Sequence, residues 1–328
     1  MSLRADVFEQ TLGDLFAPIA GLLNEPGVSE IMINAYDEIY IERGGLLELS
    51  SCQFSSEDSL MAALRNLSQF VGRELNERTP ILEARLPDGS RVEAVVSPAS
   101  PRGPTACIRR FLPAGLTLER LIDAGAVSTE TAELLKSLVR QRYNVVVGGG
   151  SGTGKTSLLN VLVSLARKSE RVVVIEDSKE LQLRLPHVVH LEAQPADSRG
   201  RNAISVRQLF NATLRMRPDR IVIGEIRGGE ALDLVQAMTS GHRGCLTTVH
   251  GTLPVDTLAR IETMALMSDL PIPTSVIRDQ IASAIDIVVQ VSRAEDGRRR
   301  VSHITEVLGI DDRGAYRLRP LFEAEGTR

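Results

Sequence analysis

Tryptophan is absent from this sequence and aromatic residues make up only 3% of it, so the stacking platforms that hold single-stranded nucleic acid are poorly supplied. Cysteine is scarce as well. Cys52, Cys107 and Cys245 are isolated and odd in number, which supports neither a disulfide framework nor a CxxC metal site and fits a reducing cytoplasm. No run approaches the ~20 apolar residues of a membrane span. The opening MSLRADVFEQTLGDLFAPIAG carries acidic residues inside its apolar pattern, unlike a secretory signal. Nor is there an excess of positive charge: 38 Lys and Arg against 42 Asp and Glu leave a net charge of −4, so no global basic field points to nucleic acid. What is present is an ordinary globular mixture, 43% hydrophobic and 24% charged over 328 residues, long enough for two domains.

Two regimes follow one another along the chain. Residues Val7 to Leu23 place apolar side chains at helical spacing, which predicts an amphipathic helix ending near Asn24-Glu25-Pro26-Gly27. Glu30 to Asn34, Glu38 to Glu42 and Leu46 to Leu49 then read as a meander, and Ser55 or Ser56 caps a helix reaching about Val71. Ile81 to Leu86 and Arg91 to Val96 form a hairpin about Pro87-Asp88-Gly89, followed by a strand from Ala106 to Phe111. These elements predict a smaller α+β N-terminal domain over 1–112 and a linker over 113–118 that holds Pro113-Ala114-Gly115. From 119 to 328, strands dense in Val and Ile alternate with helices, the pattern of an α/β fold whose mainly parallel sheet is covered on both faces. Ile285 to Leu321 reads as an appended β-meander with a turn at Glu295-Asp296-Gly297.

Between the strand at Val145-Val146-Val147 and a helix rich in Leu and Val lies Gly149-Gly150-Ser151-Gly152-Thr153-Gly154-Lys155-Thr156, followed by Ser157. This is GxxxxGK[ST] in full, in the strand-to-helix context that gives the motif its meaning. The glycines let backbone N–H groups turn around a β-phosphate and the helix N-terminus adds its dipole. Lys155 is expected to reach the β- and γ-phosphates and the Thr156 hydroxyl to bind Mg²⁺. No Asn-Lys-x-Asp guanine reader is present, so ATP is the expected nucleotide.

In an open α/β sheet, ligands sit beyond the carboxyl ends of the strands. Three more apolar strands end in polar residues: Ile175 leads into Glu176-Asp177, Ile223 into Gly224-Glu225, and Val249 into His250. Glu225 is the first choice to orient and polarise an attacking water. Glu176 is a ligand to a Mg²⁺-bound water or an alternative base, and His250 has Glu225, a water or the γ-phosphate within its expected reach. Gly224 stands where an Asp commonly closes this strand, so Mg²⁺ is left to Thr156, phosphate oxygens and water, with Glu225 and Glu176 behind. His187 and His190 read as surface residues, and Arg227 and Glu230 as ordering the turn after Glu225. Arg199, Arg201, Arg207, Arg215, Arg217 and Arg220 read as a solvated basic face, with contact to another subunit, nucleotide or DNA as the alternatives. With no CxxC, a zinc site around Cys245 is not expected.

Four segments in this order resemble the type II/type IV secretion ATPase superfamily: the phosphate loop as Walker A, IEDSKEL (175–181) as Asp box, RMRPDRIVIGEIRGGEA (215–231) as Walker B and TSGHRGCLTTVHG (239–251) as His box. The segments GVSEIMINAYDEIYIERGG, DGSRVEAVVSP, IRRF and DQIASAIDIVVQ look most like CpaF-type motors of Tad (Flp) pilus assembly, with conjugation and effector-secretion relatives close behind. The resemblance implies a RecA-like P-loop ATPase domain in a cytoplasmic homohexameric ring. Such a ring lies peripheral to the inner membrane and acts on a platform protein there. It further implies that the N-terminal domain supplies Arg91 and Arg109 to the nucleotide phosphates, with Arg110 as an alternative to Arg109, and that His242 senses a neighbouring subunit. A nucleic-acid translocase with the same phosphate chemistry is the rival expectation.

Overall fold

The two regimes of the sequence fold as two different sheets. In the computed structural model, residues 13–324 are described except 87, 112–115, 195, 197–200, 269 and 295–296. The chain divides between Pro113 and Ala114 into two compact units. Pro113-Ala114-Gly115, Pro87, Arg199, Glu295, Asp296 and residues 7–12 of the expected N-terminal helix lie outside the described residues.

The first unit contains β1 (Val28–Ala35), β2 (Glu38–Arg43), β3 (Leu46–Leu49), β4 (Ile81–Arg85), β5 (Arg91–Val95) and β6 (Thr105–Arg109). They form one antiparallel sheet in the order β3-β2-β1-β6-β5-β4. Alternation sends Ile31, Ile33, Ile39, Ile41, Val92, Ala94 and Ile108 to a buried face. The helix Glu57–Phe70 covers that face with Leu60, Ala63, Leu64 and Leu67, spaced three and four apart. Ser56, not Ser55, is its cap: its side chain accepts from the Ser59 amide while Ser59 Oγ accepts from the Ser56 amide. The expected continuous helix to Leu23 is interrupted. Pro18 has no N–H to continue a ladder, and Ala17–Ile19 is a 3₁₀ turn before a short helix at Ala20–Asn24.

The second unit contains β7 (Val145–Gly149), β8 (Val172–Glu176), β9 (Val188–Glu192), β10 (Arg220–Ile223), β11 (Leu246–His250), β12 (Ile287–Arg293), β13 (Arg299–Ile310) and β14 (Tyr316–Glu323). The sheet order is β14-β13-β12-β7-β11-β10-β8-β9. From β12 to β9 every neighbouring pair is parallel, whereas β13 and β14 are antiparallel additions. The β-meander therefore shares β12 with the parallel sheet. Successive residues feed opposite layers: Val146, Ile221 and Ile223 join one apolar cluster, Val145, Val147 and Val222 the other. Burial on both faces is why these strands read as unbroken apolar runs.

His187 is exposed, as expected of a surface residue, and His190 is half-buried in β9, the edge strand that pairs in parallel with β8. One expectation needs correction. Arg220 does not belong to a solvated face: it is 1% exposed. Its Nε donates to Glu170 Oε2 at 2.6 Å, and its terminal nitrogens donate to Gly244 O at 3.0 Å and Val139 O at 2.9 Å. A guanidinium is tolerated there because its donors meet acceptors in a fixed fork. Arg207 is also paired, with Asp233 at 2.6 Å. Among the described residues no helix is long and apolar enough to cross a membrane.

Removing Arg220 strands a buried Glu170 carboxylate. Arg220→Ala should therefore lower the unfolding free energy of the second unit by about 3–5 kcal/mol in urea titration. Burial pushes the Cys245 thiol up to about 12. Because thiolate is the nucleophile, native Cys245 should escape alkylation at about pH 8 and react once the chain is unfolded, as read by mass spectrometry.

Candidate functional site

At the carboxyl end of β7 the chain turns through Gly150, Ser151, Gly152, Thr153 and Gly154 into the helix Lys155–Ser164. Gly152 (φ 68°) and Gly154 (φ 92°) hold left-handed conformations that favour glycine. Gly149 is required by space: a Cβ there would lie 2.5 Å from Thr153 Oγ1 and 2.8 Å from the Val291 carbonyl. Thr153 Oγ1 donates to Gly150 O at 3.0 Å, and Lys155 Nζ to the same carbonyl at 2.8 Å. The helix has no side-chain N-cap, and Thr156 and Ser157 occupy its first turn. Backbone amides, a helix N-terminus and an ammonium so arranged make a cradle for a phosphate-sized anion. All nine predicted binding residues, 149–157, lie in this one turn and the helix start.

Beyond β10 and β11 the polar side chains form a continuous line. Lys155 Nζ lies 3.5 Å from His250 Nδ1, and His250 Nε2 lies 2.9 Å from Glu225 Oε1. Glu225 Oε2 accepts from Arg227 Nε at 2.6 Å, and Arg227 reaches on to Asp177 Oδ2 at 3.3 Å. The order of donors and acceptors assigns the His250 tautomer: Nδ1 accepts from the ammonium and Nε2–H donates to the carboxylate. Desolvation, then the Lys155 charge, hold His250 below the usual histidine range, with Glu225 pulling the other way. The neutral ring that this favours is the form the geometry needs.

Glu176 ends the neighbouring strand but is held differently. It is 4% exposed, its Oε1 accepts from the amides of Glu180 and Leu181 at 2.9 Å each, and its Oε2 lies 3.8 Å from His190 Nδ1. A Cβ at Gly224 would approach Glu176 Cγ to 3.0 Å, which explains the glycine at the usual Asp position. Among the described residues no group of three or more His, Cys, Asp or Glu is placed to hold a metal ion. His242 and His250 lie at opposite ends of β11: Cys245 Sγ donates to the His242 carbonyl at 3.1 Å, at the end away from the cradle.

In the first unit the register lines up Arg85, Arg91 and Arg109 in one cross-strand row, with Glu30 next to Arg109. Arg109 Nε donates to Glu30 Oε1 at 2.7 Å. Arg110 instead ties its own unit together, donating to the carbonyls of Glu25 and Val28. Like charges directly opposite one another repel, and Glu30 offsets that repulsion at the Arg109 end of the row.

Sequence reasoning missed one residue beside the cradle and the main contact of another. Turn ordering belongs to Glu230, whose Oε1 accepts from the amides of Arg227 and Gly228, whereas the Arg227 guanidinium grips Glu225. An arginine two residues after a candidate base was the available signal. Arg299 at the start of β13 lies against the phosphate loop, with its Cδ 3.3 Å from where a Gly154 Cβ would stand. Its arginine run gave no hint of that neighbour.

The family described as "Type II/IV secretion system protein" matches residues 14–313. A Mycobacterium tuberculosis protein named provisionally for conjugal transfer is 34% identical over 289 residues, covering 86% of this chain and 82% of its own length. The Bordetella pertussis type IV secretion system protein PtlH is 33% identical over 310 residues, covering 86% and 91%. Among solved structures, the Yersinia pseudotuberculosis ATPase DotB superposes with a TM-score of 0.61 at 17% identity, over 93% of this chain and 79% of that one. At that identity the likeness speaks to fold, and the shared fold is a mixed α/β one with a RecA-like, largely parallel core.

The contacts around the cradle predict opposite outcomes for adjacent glycines. Gly149→Ala drives a methyl into the Val291 carbonyl and should cost about 1–3 kcal/mol in urea titration. Gly150→Ala meets only Thr153 Cγ2 at 3.6 Å and should stay within about 0.5 kcal/mol of the parent chain.

Proposed function

The chain belongs to the type II/IV secretion system protein family, and from that premise we propose that it is a Mg²⁺-dependent ATPase driving a pilus-assembly or secretion machine. The observation that carries the reading is the line from Lys155 through His250 to Glu225, which links the phosphate cradle to a carboxylate. The loop amides and Lys155 bind the β- and γ-phosphates, Lys155 exchanging the Gly150 carbonyl for phosphate oxygens. The Thr156 hydroxyl would hold Mg²⁺, with Glu225 and Glu176 behind it, and the ion when bound would supply neutralisation of phosphate charge. Glu225 orients the attacking water and accepts its proton once a hydrogen bond from His250 or Arg227 is given up. Glu176, fastened to its own turn, is the lesser candidate for base.

Arg91 and Arg109 supply further positive charge to the phosphates during turnover. The working form is a homohexamer on the cytoplasmic face of the inner membrane, pushing on a platform protein. The sequence segments favour a CpaF-type Tad pilus motor. A second reading, a DNA translocase, is favoured by the similarity to a protein named for conjugal transfer.

Phosphate release should fall by about 10²–10³ in Lys155→Ala and in Glu225→Gln, with ATP binding kept in Glu225→Gln and weakened in Lys155→Ala. Equal turnover in all three proteins overturns the assignment. Stimulation by a platform protein or anionic vesicles supports the motor; stimulation by DNA that fades steeply with salt supports the translocase.

A further inference from the structure

Gln290 lies in β12, in the segment that reads from sequence as an appended meander, yet its side chain is 0% exposed. Its register partner is Gly148 in β7, one residue before the phosphate loop. Gly148 has no side chain for a reason: a Cβ there would lie 2.2 Å from Gln290 Oε1 and 2.4 Å from Thr257 Oγ1. The buried amide spans the gap. Gln290 Oε1 accepts from Thr257 Oγ1 at 3.1 Å, and Gln290 Nε2 donates to the carbonyl of Gly251. Gly251 is pressed against the helix Pro254–Ala265, where its Cβ would stand 2.8 Å from Thr257 Cα. It immediately follows His250, which is paired in register with Gly149.

We propose that Gln290 is a positioning residue: by fastening the Gly251 carbonyl to β12 and Thr257, it fixes the backbone on which His250 stands and so keeps the ring on Glu225. Three reasons favour this over simple core filling. A buried amide in an apolar sheet costs stability unless its donors and acceptors are paired. Both hydrogen bonds end within the segment from 251 to 257, which leads from β11 into the helix Pro254–Ala265. Gly148 in β7 leaves the space that both members of the pair occupy, and Gly251, just after β11, leaves space for Thr257. An apolar side chain would fill the same volume without specifying where the Gly251 carbonyl points. The kinetic part of the proposal rests on the ATPase reading; the structural part does not.

The test compares the full-length chain with Gln290→Met, which keeps the volume and removes both hydrogen bonds. At one fixed pH and without nucleotide, ring ¹⁵N spectra of labelled histidine report the tautomer and the Nε2–H bond, with His250 identified from a His250→Ala control. In the parent chain His250 should show a fixed Nε2–H tautomer, and in Gln290→Met an averaged one, while the signals of His187, exposed beside Arg171 and remote from β12, stay in place. With ATP, kcat should fall about tenfold while KM stays within about twofold, because the phosphate loop itself is untouched. A folded Gln290→Met whose His250 signals match the parent overturns the proposal, whatever its kcat. If Gln290→Met does not fold, Thr257→Val, which removes only the hydroxyl that orients the amide, is read in the same way: a smaller shift of His250 in the same direction supports the proposal and no shift overturns it. A parent chain that fails to hydrolyse ATP while its His250 ring responds to Gln290→Met sinks the ATPase reading and leaves the positioning role standing.

Discussion

Six neighbouring strands running in one direction put all their carboxyl ends on one edge, and that constraint decides where chemistry can gather in this chain. Gly149, Glu176, Glu225 and His250 come from separate stretches of sequence and meet at that edge only because β7, β8, β10 and β11 are parallel. Convergence alone does not make a site, since side chains from adjacent strands compete for the same space. The chain resolves the competition with glycine. Gly148, Gly149, Gly224 and Gly251 each leave room that a neighbour's side chain or backbone occupies, so the glycines record which functional groups had to come close.

Much of this was legible beforehand, and for physical reasons. The phosphate loop declares itself through local geometry: a strand, a turn needing left-handed glycines and a helix start are all properties of one short segment. The parallel strands were legible because burial on both faces leaves no alternation to confuse the pattern, and the capped helix at Ser56 because a cap is a local hydrogen bond. What escaped depends on contacts distant in sequence. The strand Val188 to Glu192 gave no clear sign of itself, because an edge strand is only half-buried. Arg220 looked solvated because its acceptors come from Val139, Glu170 and Gly244, which lie far away along the chain. Arg227 was legible as a turn residue but not as the partner of Glu225, since its guanidinium can reach either way.

The two carboxylates at the strand ends show how environment separates residues of similar sequence context. Glu176 follows an apolar strand much as Glu225 does, but two backbone amides hold one of its oxygens and it is almost wholly buried. Hydrogen bonds of that kind stabilise a carboxylate in place and tie it to its own loop. Glu225 is bound by side chains instead, one an imidazole and the other an exposed guanidinium. Side chains swing on single bonds, whereas amides move only with the backbone, so Glu225 is the carboxylate of the two that can change partners cheaply.

That difference bears on idling. With Oε1 on His250 and Oε2 on Arg227, the Glu225 carboxylate is occupied at rest. On the ATPase reading, a bound nucleotide would wait beside a base that is still clasped, and fuel would be spent only when something loosens the clasp. On that reading the two side-chain contacts act as an interlock, released by whatever breaks either of them.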